Sequence, residues 1–355
     1  MVLDRDLLQE LLWAYGPSGQ EDAVRDVCLR ELAEVVDDAW VDEAGNVVGR
    51  IRGAGGGPSV RVMAHMDELS MLVKRVDSDG SLHMTPLGTM YPANFGLGPV
   101  AVLGDNETFC GVLSLGSEHT TQESQRIWET KPDQGDKALD WSHVYVFTGR
   151  TPEDLSAAGV QPGTRVCIEK SKRTLTEVGE YLGSYFMDDR APVTALLQAA
   201  RTMKANGRRP AGDTYLVFTT SEEIGRVGGS YASNSLPGTL TLALEVGPTE
   251  AEYGTTVAGG PIVAYSDVEC VYDKDVADQL MRIATELGYA PQPAVLGAFE
   301  SDASHSKANG ISPRAALLCL PTLSTHGYEV IGRGAIPAIV DVLVQFLAPS
   351  KGDRT

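Results

Sequence analysis

The chain begins with two amphipathic stretches. Leu7, Leu8, Leu11 and Leu12 recur at helical spacing and stop at Gly16-Pro17-Ser18-Gly19; Val24, Val27, Cys28 and Leu32 line one face of a second helix. The pattern then changes to period two. A short run near Trp40, a turn at Gly45-Asn46 and a run from Val47 through Val48 to Ile51 read as strands. Residues 53–57, Gly-Ala-Gly-Gly-Gly, lack the Gly-Lys-Ser/Thr ending of a phosphate loop and open no helix, so the expectation there is a flexible hairpin loop. A compact apolar strand over 60–64 leads into His65.

Between about 72 and 172 short apolar runs alternate with Gly, Pro and Asp: Met71-Leu-Val73, Val100-Ala-Val-Leu103, Cys110-Gly-Val-Leu-Ser-Leu115, Val144-Tyr-Val-Phe147 and Val166-Cys-Ile168. Such regular punctuation predicts a small all-β domain or barrel. One helix interrupts it over 152–158, stopped by Gly159, and 133–136 read as a polar loop. After residue 173 helices and strands alternate. Helices are expected over 191–203, 276–287 and 335–346, and strands over 215–219, 239–246 and 315–320. That alternation predicts an α/β fold, a mixed and largely parallel sheet flanked by helices. The expected division is one α/β domain from 1–71 and 173–355, with 72–172 inserted as a small β domain.

Of the 355 residues 43% are hydrophobic, enough for a substantial core. The formal charge of -19 argues against a nucleic-acid partner. Five scattered cysteines with no CxxC fit a reducing compartment. With charges from Asp4 onward no signal peptide is expected, and no apolar run reaches transmembrane length. The expectation is a soluble cytoplasmic protein.

The chemistry gathers at strand ends. Glu222 and Glu223 follow the apolar run from Tyr215. Adjacent like charges there are costly unless a cation accepts them. Alone, the pair reads as a solvated acidic loop. It has company, however: His65-Met66-Asp67, Asp188-Asp189 just before a helix, Glu245 at the end of the strand 239–246, and His326 six residues past the strand 315–320. Ligands of open α/β sheets gather at the carboxyl ends of strands. Two histidines and three carboxylates, one of them bridging, form an inventory for two divalent metals, with zinc or cobalt suited to the imidazoles. His83, His119, His143 and His305 read as surface or structural, although the loop carrying His119 could reach a neighbouring subunit's site.

These segments resemble the tetrahedral-aminopeptidase family, whose members are called glutamyl, deblocking or lysyl aminopeptidases. The resemblance runs through Gly16-Pro-Ser-Gly-Gln-Glu21, Asp42-Glu-Ala-Gly-Asn46, Ala64-His-Met-Asp-Glu68, Met187-Asp-Asp-Arg190, Thr220-Ser-Glu-Glu-Ile-Gly225, Ser301-Asp-Ala303 and Ser324-Thr-His326. It implies a phosphorylase/hydrolase-like metallopeptidase core, and a dimerisation role for the inserted β domain, with dimers forming a tetrahedral dodecamer. It implies that His65, Asp188 and Glu245 hold one metal, and Asp188, Glu223 and His326 the other. Glu222 would be the general base and Asp67 would orient His65. The Asp188-Asp189 peptide is often cis in this family. The activity implied is removal of N-terminal residues from short peptides by metal-activated water.

The family usually has Asp where this chain has Glu245, and related dinuclear deacylases and carboxypeptidases use Glu there. The segment after His326, Gly327-Tyr-Glu-Val330, also departs from the commoner His-Ser-x-x-Glu form. The alternative activity is therefore deacylation of a small N-acylated amino-acid compound. A scaffold that has lost catalysis is disfavoured by retention of Glu222 and every ligand-type residue. Glycoside hydrolysis would use two carboxylates and leave His65 and His326 unexplained.

Overall fold

A computed structural model describes residues 2–133 and 135–349. The described residues divide into two compact units: those within 2–68, 175–325 and 329–349 form one, and those within 69–174 with 326–328 form the other. The first unit opens with α1 (Arg5–Trp13) and α2 (Asp22–Leu32), each burying the four apolar residues that its spacing singles out. Asp4 caps α1 by accepting from the Leu7 N–H at 3.1 Å. Strands β1 (Asp38–Val41), β2 (Val47–Ile51) and β3 (Val60–His65) follow.

The second unit contains β4 (Ser70–Val76), β5 (Leu82–Leu87), α3 (Pro92–Phe95), β6 (Gly98–Leu103), β7 (Thr108–Ser114), α4 (Gln125–Trp128), β8 (Tyr145–Phe147), α5 (Pro152–Ala157) and β9 (Arg165–Ile168). The strands close into a barrel in the order β4-β5-β8-β7-β6-β9, which leaves no open edge. Strand β5 and the short helices α3 and α4 have no counterpart in the sequence reading. His83 and Pro86 break the apolar run of β5, and a four-residue helix is too short for any periodicity to register. Of the expected polar loop at 133–136, Gln134 lies outside the described residues.

The first unit resumes with β10 (Thr176–Val178), β11 (Tyr181–Tyr185), α6 (Met187–Ala205), β12 (Thr214–Thr219), α7 (Val227–Ser235), β13 (Leu240–Pro248), β14 (Ile262–Ser266), α8 (Lys274–Glu286), β15 (Gln292–Val295), α9 (Asp302–Ala308), β16 (Arg314–Leu323), β17 (Tyr328–Gly332) and α10 (Ala335–Leu347). Its sheet runs β1-β2-β12-β3-β13-β16-β17-β11-β10, with β14 joined to β16 and β15 to β14. The centre is parallel: β12 with β3, β3 with β13, and β13 with β16. The flanking pairs β1–β2, β2–β12, β14–β16, β16–β17 and β10–β11 are antiparallel. Central strands of such a sheet are covered on both faces, so they read as near-continuous apolar runs. Every residue of β12 is buried. Helix α6 packs on β3 and β13 beside α1 and α10; α7 and α9 pack on β12 and β13.

Residues 53–57 are not a hairpin loop. Strand β12 lies between β2 and β3, so the connection crosses over the start of β12 rather than closing a turn. It adheres there through the Ala54 N–H to the Pro210 carbonyl at 2.8 Å and the Gly55 N–H to the Ala211 carbonyl at 3.1 Å. A Cβ on Gly53 would come within 2.5 Å of the Gly212 carbonyl carbon, so glycine is needed for this close approach.

Candidate metal centre

The parallel strands β3, β12 and β13 bring their carboxyl ends to one edge, and the side chains singled out above cluster there. His65 is the last residue of β3 and is buried. Its Nε2 lies 2.9 Å from Asp188 Oδ1 and 3.7 Å from Glu245 Oε2. Asp189 completes the group: ligand-type atoms of His65, Asp188, Asp189 and Glu245 all lie within 4.8 Å of one another. Glu245 is not at its strand's end as expected. The pairing of β13 with β16 continues through Gly247–Pro321 and Pro248–Thr322, so β13 runs three residues beyond it.

Asp188 and Asp189 owe their placement to the irregular start of α6. Phe186 takes a left-handed conformation, Asp188 and Asp189 have non-helical dihedrals, and the peptide between them is cis. The Asp188 N–H donates to Glu329 Oε2 at 2.9 Å, and Asp189 Oδ2 accepts the His65 backbone N–H at 2.9 Å. One residue on, the buried Arg190 guanidinium donates to the Met66 carbonyl and, at 2.7 Å, to Glu68 Oε2. The start of α6 is thereby fastened to the segment after β3.

Asp67 has a wider role than orienting His65. His65 Nδ1 donates to the Asp67 backbone carbonyl at 3.1 Å, and the carboxylate stands farther off, at 3.4 Å. That carboxylate instead accepts from Ser18 Oγ at 2.6 Å, the Glu222 N–H at 2.9 Å and the Glu223 N–H at 3.2 Å. The turn carrying Glu222 and Glu223 is thus pinned through Asp67 to the histidine strand. Ser221 enters this turn with φ 50, and its N–H donates to Glu21 Oε1 at 3.2 Å. A carboxylate oxygen of Asp188 and one of Glu223 lie within 4.8 Å of each other. His326 stands in the turn 326–328, which groups with the second unit. There its Nδ1 donates to the Thr89 carbonyl at 2.8 Å, which makes Nε2 the ring nitrogen able to ligate.

The electrostatics are those of an excess of buried acid. Burial, then neighbouring negative charge, pushes the carboxyls of Asp189, Glu222, Glu223 and Glu245 well above their ordinary range. Burial works against a charged His65, yet the fields of Asp189, Asp188, Asp67 and Glu245 outweigh it and raise its pKa. Asp67 is the exception. Its burial is overcome by His65, Ser18 and the Glu222 N–H, and its pKa falls.

The residues fit a divalent metal. Among the described residues the buried Asp189 Oδ1 has no hydrogen-bond partner, and three carboxylates converge on one imidazole. Nitrogen and oxygen donors suit zinc, cobalt and similar ions. Asp189, Glu329 and Asp302 were not singled out from the sequence as members of the site. Asp302 is buried behind it, and its Oδ2 accepts from Thr219 Oγ1 at 2.6 Å. Adjacency to Asp188 was the signal for Asp189; Asp302 and Glu329 lie in Ser301-Asp-Ala303 and Gly327-Tyr-Glu-Val330, segments noted in the sequence without a role for either carboxylate. The other histidines have structural partners or none of this context: His83 pairs with Asp77, His143 with Glu129 and His305 with Glu269, while His119 is exposed in the second unit.

A family model for the M42 glutamyl aminopeptidases matches residues 45–342. The chain belongs to that family. As an M42 member it is a peptidase, a hydrolase, and its sheet edge carries a buried cluster of residues of the type that ligate metal. The lysyl aminopeptidase of Pyrococcus furiosus is 29% identical to it over 248 residues, 69% of this chain and 67% of the relative. Among solved structures, an aminopeptidase from the archaeon Desulfurococcus kamchatkensis superposes with TM-score 0.86 at 23% identity, covering 98% of this chain and 94% of that one. The Pyrococcus horikoshii TET1 peptidase, described as assembling into a tetrahedron or a large octahedral shell, gives TM-score 0.83 at 21% identity over 97% and 99%. At these identities the two structures establish the shared M42 fold of a mixed sheet between helices.

Proposed function

We propose that this M42 member is a dinuclear metal-dependent aminopeptidase that removes N-terminal residues from short peptides. The observation that carries the reading is the convergence of His65, Asp188 and Glu245 at a buried sheet edge, with Glu222 held beside them by Asp67. His65, Asp188 and Glu245 hold one ion; Asp188, Glu223 and His326 hold the second. Zinc or cobalt fits both sets. Bound ions would supply Lewis acidity and lower the pKa of water. Glu222 takes the proton from the attacking water and returns it to the departing amine. Asp67 keeps the Glu222 backbone in place while its carbonyl fixes the His65 tautomer. Asp189 shares in the buried negative charge that favours the ions.

The proposed division of labour places catalysis in 1–71 and 173–355 and dimerisation in 72–172. On the barrel, Val112 of β7 and Phe147 of β8 are paired and exposed, at 41% and 57%, as an apolar contact surface would be. Together with the assembly described for the TET1 peptidase, this supports dimers building a tetrahedral dodecamer. No described helix is long and apolar enough to cross a membrane, and all five cysteines are free thiols, which supports the cytoplasm.

Glu245 favours one competing reading, deacylation of a small N-acylated amino acid, because related deacylases use Glu at this place. A panel of free-amine peptides and acyl-amino acids, assayed with zinc and with cobalt, separates the two. Release of N-terminal residues supports the aminopeptidase. Hydrolysis of acyl-amino acids alone overturns it.

A further inference from the structure

Arg226 is a cation set among the acids of this site, and nothing above gives it a task. It follows the Glu222–Glu223 turn at φ 51, immediately before α7, and its N–H donates to the Glu222 carbonyl at 3.1 Å. Its side chain turns back toward the same residue, with Nε 3.5 Å from Glu222 Oε1. Two acids from other segments face the rest of the guanidinium. Nη2 pairs with Glu300, in the connection before α9, and Nη1 lies 3.9 Å from Glu269, which follows β14. Glu269 is itself held by His305 Nδ1 at 3.1 Å. A planar guanidinium paired through Nη2 and facing a second acid at Nη1 keeps less rotational freedom than a free one. The remaining donor, Nε–H, is buried and makes no hydrogen bond to a described residue; the nearest carboxylate oxygen in its ion pairs is Glu222 Oε1. A buried donor in that position is costly unless it is used.

We propose that Arg226 is a positioning residue for Glu222: its charge, 3.5 Å away at Nε, draws Oε1 toward the guanidinium and leaves the other carboxylate oxygen to carry the proton. Glu300 and Glu269 act one step further out by aiming the guanidinium. This rests on the general-base reading of Glu222. Among the described residues the ion pairs of Arg226 are to Glu222, Glu269 and Glu300, none of which is assigned to a metal, so its loss is expected to act on turnover more than on metal content.

The test compares wild type, R226M, R226K, E300Q, E222Q and the double variant E222Q/R226M. Each is loaded with zinc, checked for metal content and melting temperature, and assayed on a set of aminoacyl p-nitroanilides and the matching dipeptides. We expect R226M to lower kcat about 10–100-fold, the usual scale for a residue that orients a catalytic group, with KM within about threefold. R226K should recover part of that loss, and E300Q should show a smaller loss in kcat. In the E222Q background, adding R226M should change the rate less than about threefold, because a residue acting through another contributes nothing once that other is gone. The proposal is overturned if R226M keeps wild-type kcat or changes KM alone. It is also overturned if R226K is no better than R226M, or if R226M costs as much in E222Q as in wild type. Full activity of E222Q would remove the general-base reading itself, and this proposal with it. A uniform loss of metal or of melting temperature across R226M, R226K and E300Q would assign Arg226 to the framework instead.

Discussion

Arg61 offers a clean test of what holds the sheet together away from its chemistry. It is fully buried in β3. Among the described residues no carboxylate pairs with it. Its Nη1 donates to the Ser233 and Leu236 carbonyls at 3.0 and 2.8 Å, Nε to Thr241 Oγ1 at 3.1 Å and Nη2 to Ser312 Oγ at 3.0 Å. The two carbonyls lie at the end of α7, where a helix has unsatisfied acceptors and its dipole favours a cation. Replacing Arg61 by Met strands both. At roughly 1–3 kcal/mol for each buried acceptor left unpaired, the loss is about 2–6 kcal/mol. Removing a buried, unpaired charge relieves its desolvation and returns part of this. A net destabilisation of about 3 kcal/mol is expected, and R61K, with fewer and differently placed donors, should fall between. The assay is urea unfolding at fixed protein and zinc concentration, with metal content and turnover measured in parallel. His65 lies four residues along the same strand, about 13 Å away, so metal content and turnover of the folded variant should match wild type. A loss below about 1 kcal/mol, or an R61K indistinguishable from wild type, refutes the argument.

Four other outcomes follow from the same geometry. Chelation should abolish peptidase activity and lower the melting temperature, with zinc or cobalt restoring both; activity that survives complete metal removal contradicts the site. Glu245→Asp withdraws the carboxylate by one methylene, about 1.5 Å, and on the proposed two-ion reading should weaken one ion about 10–100-fold in a chelator competition while sparing the other. Gly229→Ala would put a Cβ 2.2 Å from the Asp302 carboxyl carbon; a cost of about 1–3 kcal/mol is expected by unfolding, as for other overpacked cores. The Asp273 carboxyl is held below its ordinary value by its hydrogen bond to Arg314. That stability is present above pH about 4 and lost as pH falls through the lowered value. The pair is partly exposed, so Asp273→Asn should flatten the acid side of the stability profile by less than about 1 kcal/mol.

Helices α1 and α2 and the buried central strands could be read in the sequence because each repeats one period long enough to register, and their buried residues are those the pattern selects. Strands β10, β14, β15 and β17 have five residues or fewer and gain their structure from neighbours distant in the chain. The site divides in the same way. His65, Asp67, Asp188, Glu222 and Glu223 stand at or just past apolar runs, where sheet edges are expected. Glu329 and Asp302 lie in segments noted for the family resemblance, but neither has an apolar run to mark its place, and only the fold turns them inward. Asp67 shows a further limit. The resemblance implied that Asp67 orients His65; the backbone carbonyl is the nearer acceptor for the imidazole proton, at 3.1 Å, while the carboxylate, 3.4 Å from Nδ1, also serves the opposite turn. Spacing indicates which residues can meet, not which of their atoms do.

The placement of β12 between β2 and β3 also bears on how the chain is made. Val48 pairs with Val217, and Met63 with the same Val217 from the other side. Both early strands therefore wait for a partner synthesised about 150 residues later, a wait set by the pairings. Every residue of the β4–β9 barrel leaves the ribosome in that interval. During synthesis the barrel can close with contacts of its own, while the apolar edges of β2 and β3 stay without a neighbour. Sequence-distant pairings of this kind slow folding and prolong exposure of sticky strands. For this chain, the critical moment in biogenesis is the emergence of residues 214–219.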